Sequence, residues 1–164
     1  MSEIQLNDYQ DIQDFVVGKT EYAGEMTIEV RPSAIVKVCE ILKTKFGFDY
    51  LSDITGVDHY TDEKRFGVAY NLVNITDKKR LRITTRIEER DPSIHSVISV
   101  WPSANWFERE VWDMFGIRFG SHPDMRRIYM PEDFEFHPLR KEFPLIGIPG
   151  TIQTPTVNPP KGYK

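Results

Sequence analysis

One cysteine, Cys39, is all the thiol that the 164 residues hold. It excludes an intrachain disulfide and any CxxC pair. Structural zinc sites and iron–sulfur clusters usually take several thiolates, so this chain alone supplies neither ligand set. A lone thiol also suits a reducing compartment. No apolar run approaches the roughly 20 residues of a membrane-spanning helix, so no spanning segment is expected. The acidic N-terminus lacks the basic start and apolar stretch of a secretory signal and the arginines of a transit peptide, so no presequence is expected. A basic excess is missing as well. The 21 Lys and Arg stand against 25 Asp and Glu, a net of −4, which argues against a generic nucleic-acid binder. The glycine-rich dinucleotide and P-loop signatures and the serine-hydrolase elbow are all absent.

What is present suffices for a core. The chain is 40% hydrophobic, with 10 Phe, 7 Tyr and 3 Trp. A chain near this length buries roughly 68–70% of its unfolded surface without staples. Charge and proline are unevenly spread. Residues 1–32 carry seven acids and two bases, whereas residues 33–164 carry eighteen and nineteen, so the acidity is N-terminal. Eight of the eleven prolines lie at or after Pro123, which marks a change of organisation there. The expected layout is an α+β body over residues 1–120, with an acidic segment at 1–24, followed by an extended, proline-punctuated docking arm over 121–164.

Periodicity supplies the elements of the body. Asn7 can cap a short helix over residues 7–17, with Tyr9, Ile12 and Val16 on its apolar face and Gly18 past its end. Residues 26–31 alternate as an edge-like strand. Pro32-Ser33 opens a helix with Ser33 as N-cap; Ala34, Val38, Ile41, Leu42 and Phe46 form its stripe, Cys39 lies near that stripe as a small core residue, and Gly47 ends it. Residues 48–58 read as a strand bending near Gly56. Phe66, Val68, Tyr70 and Leu72 alternate, a turn follows at residues 76–79, and Leu81, Ile83, Thr85 and Ile87 alternate again, making a hairpin. Arg80, Arg82 and Arg86 share its other face. They fit an anion or partner surface, or a solvated face whose charges are relieved by Glu88 or Glu89, and the solvated face is the commoner case. Together these elements predict a two-layer α+β domain, with helices on one face of a mainly antiparallel sheet.

Residues 101–145 are the densest part of the chain. Pro102-Ser103 opens a helix and Gly116 closes it. Phe107, Val111, Met114 and Phe115 make its stripe; Trp106, Glu110 and Asp113 lie on a neighbouring face, and Arg109 and Asp113 form an i, i+4 pair able to bridge. Beyond Gly116 no period persists, and prolines 123, 131, 138, 144 and 149 preclude long helices. The segment is too apolar for a disordered tail and too charged for a core. It fits an arm ordered against a second protein, with Arg126, Arg127, Arg140 and Lys141 pairing with carboxylates and Ile128, Tyr129, Leu139 and Phe143 as anchors. Two chemical readings use the same residues. Glu108, Glu110 and Asp113 can supply carboxylates for acid–base work. His122, Asp124, Asp133 and His137 can supply mixed metal ligands, at a spacing that matches no compact motif. His59 and His95 are isolated.

The run Glu108-Arg109-Glu110, Asp113-Met114-Phe115-Gly116-Ile117, Phe119, His122-Pro123-Asp124, Arg126-Arg127-Ile128, Pro131-Glu132-Asp133 and His137-Pro138-Leu139-Arg140-Lys141 resembles one family. So does the stretch from Leu51 to Asp58. The family is the C subunit, or 30 kDa subunit, of the proton-translocating NADH:quinone oxidoreductase, respiratory complex I. The resemblance implies a peripheral-arm protein on the cytoplasmic face of a bacterial inner membrane. It implies no catalytic residue, metal or cofactor in this chain, with FMN and iron–sulfur clusters carried by other subunits. It implies contacts with the D, B and I subunits, and motif positions that are structural or partner-binding. The family commonly has glycine at Ser121 and Phe136 and aspartate at Glu142. The alternative is a homologous interaction subunit of a membrane-bound hydrogenase or a plastoquinone-reducing complex. A free-standing carboxylate or metal enzyme is the third reading.

Overall fold

Residues 6–148 are described by the computed structural model. The part of the expected arm at residues 149–164 and the side chains of Asn7 and Tyr9 lie outside the described residues. Five strands form the main sheet: β1 (Val16–Tyr22), β2 (Glu25–Val30), β3 (Tyr50–Asp58), β4 (Phe66–Asn74) and β5 (Lys79–Ile87). Their order is β1-β2-β5-β4-β3, antiparallel throughout except for β2 beside β5. Helix α1 (Ile35–Phe46) carries the chain from β2 across to the far edge at β3. Helix α2 (Ala104–Phe115) follows the sheet, and a small parallel pair, β6 (Ser93–His95) and β7 (Arg118–Gly120), brackets it.

The predicted hairpin forms in the predicted phase. Phe66, Val68, Tyr70 and Leu72 of β4, and Leu81, Ile83, Thr85 and Ile87 of β5, are all buried. They meet Ile35, Val38, Cys39 and Leu42 of α1 and Ala104 and Val111 of α2 in one core. Gly47 ends α1 in the left-handed conformation, with φ 69°. The two-layer α+β reading holds.

Several local expectations change. The first segment winds as a 3-10 helix over Leu6–Phe15 and then becomes β1, because Val16-Val17 favours extended backbone and Val16 pairs with Val30. Strand β2 is therefore covered on both sides and is not an edge. Ser33 lies inside a 3-10 turn, Pro32–Ala34, and Ala34 stands at the N-cap of α1 with no side-chain cap bond. The irregularity of β3 falls between Leu51 and Asp53, not at Gly56. Gly56 serves close packing: a Cβ there would lie 2.5 Å from a ring carbon of Phe115. Arg80 and Arg82 each stand 3.8 Å from Glu25, and Arg86 3.1 Å from Asp62, so the solvated strand face is balanced by those acids rather than by Glu88 or Glu89.

Candidate functional site

The last turn of α2 organises the motif region. A helix leaves its final four carbonyls without intrahelical partners. Here Trp112 O accepts from Gly116 N at 2.8 Å, and the arm supplies the other donors. His137 Nδ1 lies 3.0 Å from Asp113 O, Leu139 N donates to Met114 O at 3.1 Å, and Arg140 Nε donates to Phe115 O at 2.7 Å. A carbonyl only accepts, so Nδ1 of His137 carries the proton. Burial also holds His137 below the usual histidine range. The cation of Arg140 at a helix C-terminus is favoured by the macrodipole. Gly116, at φ 74°, permits this closure, since a Cβ would lie 2.5 Å from Arg140 Nη2 and 2.6 Å from His137.

Asp113, in this same last turn, is the hub. Its carboxylate is fully buried and accepts from Arg127 Nη1 at 2.6 Å and from three successive backbone amides, Ile128 at 3.0 Å, Tyr129 at 2.7 Å and Met130 at 3.1 Å. Burial alone would raise its pKa, but these four donors outweigh it and hold the carboxyl below its ordinary value. The Arg127 guanidinium lies between the rings of Trp112 and Phe134, at 5.4 and 5.7 Å. The expected bridge from Arg109 to Asp113 does not form. Arg109 instead donates to the carbonyls of Arg126 and Arg127, and packs over Trp106. Asp113 therefore does not share the environment of Trp106 and Glu110, which are exposed.

A second clamp was not legible in the sequence. Arg65, buried, makes a two-pronged contact with Asp58, 2.8 Å for each bond, and also pairs with Glu89 and Glu142. Lys141 N donates to Asp58 Oδ2 at 2.8 Å. The Arg65 hydrogen bond is the largest influence on the Asp58 carboxyl and holds it far below the carboxylate range, against the effect of burial. Phe66 has a guanidinium stacked near it from both Arg65 (4.8 Å) and Arg140 (5.1 Å). The only sequence signal was Asp58 itself, a carboxylate in the inward phase of β3, which calls for a buried partner.

The remaining predicted residues separate. Glu108 is fully buried, accepts from Ser96 Oγ at 2.5 Å and Val97 N at 2.7 Å, and is pushed up to about 7 by burial against those two bonds. Glu110 faces out, so Glu108, Glu110 and Asp113 do not converge as an acid–base pair. His122 Nε2 lies 3.3 Å from Asn105 O, and its Nδ1 accepts from Asp124 N at 3.1 Å. Both ring nitrogens are thus engaged, and His122, Asp124, Asp133 and His137 are not gathered into a ligand set: among the described residues no three His, Cys, Asp or Glu side chains stand close enough to hold an ion. Cys39 is buried, and that burial raises its thiol pKa far above the usual range. Arg127 and Arg140, expected to reach a second protein, are committed within the chain. Arg126 pairs at the surface with Asp124 at 2.7 Å, and the Lys141 side chain is exposed. Pro123 and Pro138 lie in the described part of the arm, residues 121–148, an irregular strap without helix or strand.

The strap also has a small apolar cluster of its own. Phe134, Phe136 and Phe143 pack with ring centroids 5.7 to 6.3 Å apart. Beyond it apolar side chains face solvent: Leu139 is 53% exposed, and Leu145 and Ile146 are 106% and 98% exposed.

The family profile described as respiratory-chain NADH dehydrogenase, 30 kDa subunit, matches residues 28–148. The C subunit of NADH-quinone oxidoreductase from Roseiflexus sp. (strain RS-1) is 42% identical over 136 residues, covering 82% of this chain and 78% of that one. The second C subunit of the same enzyme from Rhizobium meliloti (strain 1021) is 51% identical over 126 residues, covering 76% and 69%. A solved trypsin-resistant fragment, residues 1–134, of Nqo5 superposes with a TM-score of 0.62 at 32% identity, covering 65% of this chain and 88% of the fragment. A chain of the membrane-bound sulfane sulfur reductase, an archaeal respiratory membrane complex, shares the fold with a TM-score of 0.74 at 23% identity, covering 86% and 84%.

Proposed function

The chain belongs to the 30 kDa subunit family of respiratory-chain NADH dehydrogenase, and from that premise we propose that it is a cofactor-free interaction subunit of the peripheral arm of complex I. Electrons then pass from NADH through FMN and iron–sulfur clusters of other subunits to quinone, coupled to proton translocation, and this chain supports that path by holding its neighbours in place. The D, B and I subunits are the proposed contacts. The assembled complex brings the chain to the cytoplasmic face of the membrane; among the described residues no helix is long and apolar enough to cross one.

The observation that carries the reading is the pairing of a clamped strap with an uncovered end. Buried charges fix residues 126–142 to the body, while Leu145 and Ile146 directly beyond them stand almost wholly in solvent. Adjacent exposed aliphatics on an anchored segment favour burial by a partner. The one thiol lies in the core, which supports assigning the redox centres elsewhere. Co-expression with a homologue of the D subunit tests the reading. The expected result is a stable complex in which cleavage on the C-terminal side of Leu145 slows; equal cleavage with and without that protein would refute it.

A further inference from the structure

We propose that the cleft at the outer end of the strap takes a segment of a partner subunit that inserts an apolar side chain and lays Lys or Arg residues along an acidic lip. This rests on the chain being an assembled subunit, and it adds the chemistry of the segment recognised.

The cleft measures about 320 Å³, and Phe136, Phe143, Pro144 and Ile148 supply its apolar walls. Its other lining groups are Glu135, His137, Arg140 and Glu142. Three of these four are turned to the body. His137 meets the Asp113 carbonyl, Arg140 caps Phe115 O and lies over Phe66, and Glu142 is held by Arg65. The cation lining the cleft is thus already engaged, and Glu135 remains exposed without an ion pair among the described residues. On the turn before it, where Phe134 N donates to Pro131 O, Glu132 and Asp133 are exposed as well, with Glu132 within Coulombic range of Arg126. Glu132, Asp133 and Lys141 are exposed beside the cleft lining and not part of it.

The one uncommitted charge among the described lining residues is therefore that of Glu135, and on the approach the exposed Glu132 and Asp133 outnumber the exposed Lys141, so the balance is negative above an apolar floor. Charge complementarity then selects a basic-flanked apolar segment. Leu145 and Ile146, next in sequence to the lining residue Pro144, are exposed apolar residues outside the cleft lining, so apolar surface continues past the cleft, which suits a polypeptide rather than an enclosed small molecule. The cleft's place beside the strongly exposed pair Leu145 and Ile146 joins it to the proposed docking surface.

The test uses the full chain in the assembled complex, with a photo-crosslinking phenylalanine derivative at position 136. The expected product joins this chain to a segment of another subunit holding a large apolar residue and at least two Lys or Arg close by. The triple variant E132K, D133K, E135K, changed only at exposed sites, should lower the crosslink yield about tenfold at low salt, since three rim contacts are reversed. Raising ionic strength from about 0.05 to about 0.5 M should lower the parent's yield and not the variant's. A crosslink to residues 149–164 of this chain, to lipid, to a second copy or to a segment without basic residues overturns the proposal. So does the absence of any crosslink in an assembled complex. If the chain assembles normally while the crosslink goes elsewhere, only this inference falls; if it does not assemble with complex I subunits, the functional reading falls with it.

Discussion

Replacing Asp113 by Asn removes one charge from the point where the strap meets α2. The side chain keeps its size, so no cavity is opened. What is lost is the charge that balances the buried Arg127 and polarises three backbone amides. The new amide also directs a donor at a surface made only of donors. Breaking a buried pair by removing one partner costs about 3–5 kcal/mol. The remaining Asn oxygen retains part of the amide bonding, so about 3 kcal/mol is expected. That is a large share of a typical total of about 5–15 kcal/mol. The bonds join the strap to α2 and not the strands to one another, so the loss should appear first as local release. Trypsin cleavage after Arg126 and Arg127 should therefore rise roughly 100-fold, following about 3 kcal/mol of lost closure. The urea midpoint should fall by about 1–3 M if strap and body unfold together. Acid should mimic the variant. The folded pKa of Asp113 is depressed, so its contribution is present above the unfolded value of about 3.9 and is lost as pH falls through the lower folded value. An Asp113→Asn chain with the parent's midpoint and the parent's cleavage pattern would refute the hub assignment.

Other substitutions separate the remaining claims. Arg127→Glu should release the strap, whereas Arg126→Glu should leave the fold unchanged by circular dichroism and proteolysis, because only Arg127 is buried against Asp113. Glu108→Gln should remove a pH dependence. With its folded pKa raised to about 7 from 4.5, Glu108 makes the parent lose roughly 3 kcal/mol of stability as pH rises through that window, and the variant's denaturation midpoint should stay flat there. Gly116→Ala should destabilise by at least about 1–2 kcal/mol from the left-handed backbone alone, with His137 and Arg140 displaced from the end of α2, visible as raised amide exchange at 137–140. Ser121 has φ 66°, so Ser121→Gly should raise thermal stability by an amount worth about 1 kcal/mol.

Much of the body could be read from the chain because its causes are local. The alternation of β4 and β5, the Gly47 and Gly116 helix ends and the burial of Cys39 each follow from neighbours in sequence. Strand β1 could not be read, because the polar residues of 16–22 become a strand only by pairing with β2. The parallel pairing of β2 with β5 joins segments more than fifty residues apart and leaves no periodic mark. The site divides in the same way. The importance of residues 108–141 was visible as a motif, but their partnerships were not. Arg127 reaches back 14 residues to Asp113, Glu142 reaches 77 to Arg65, and Lys141 reaches 83 to Asp58. An i, i+4 rule offered Arg109 to Asp113, and the three amides of residues 128–130 took its place. The resemblance implied glycine at both Ser121 and Phe136, yet of the two only Ser121 adopts a positive φ. The backbone demand was real at one position and absent at the other.

The central claim is that this chain works as a subunit of complex I and not alone. The most direct measurement is purification of the native assembly through a tag on this chain, with identification of everything recovered in stoichiometric amount. The account predicts NADH-quinone oxidoreductase subunits, a homologue of the D subunit among them, with flavin and iron–sulfur absorbance belonging to those partners. Recovery of the chain alone, or with proteins of no respiratory complex, would contradict it.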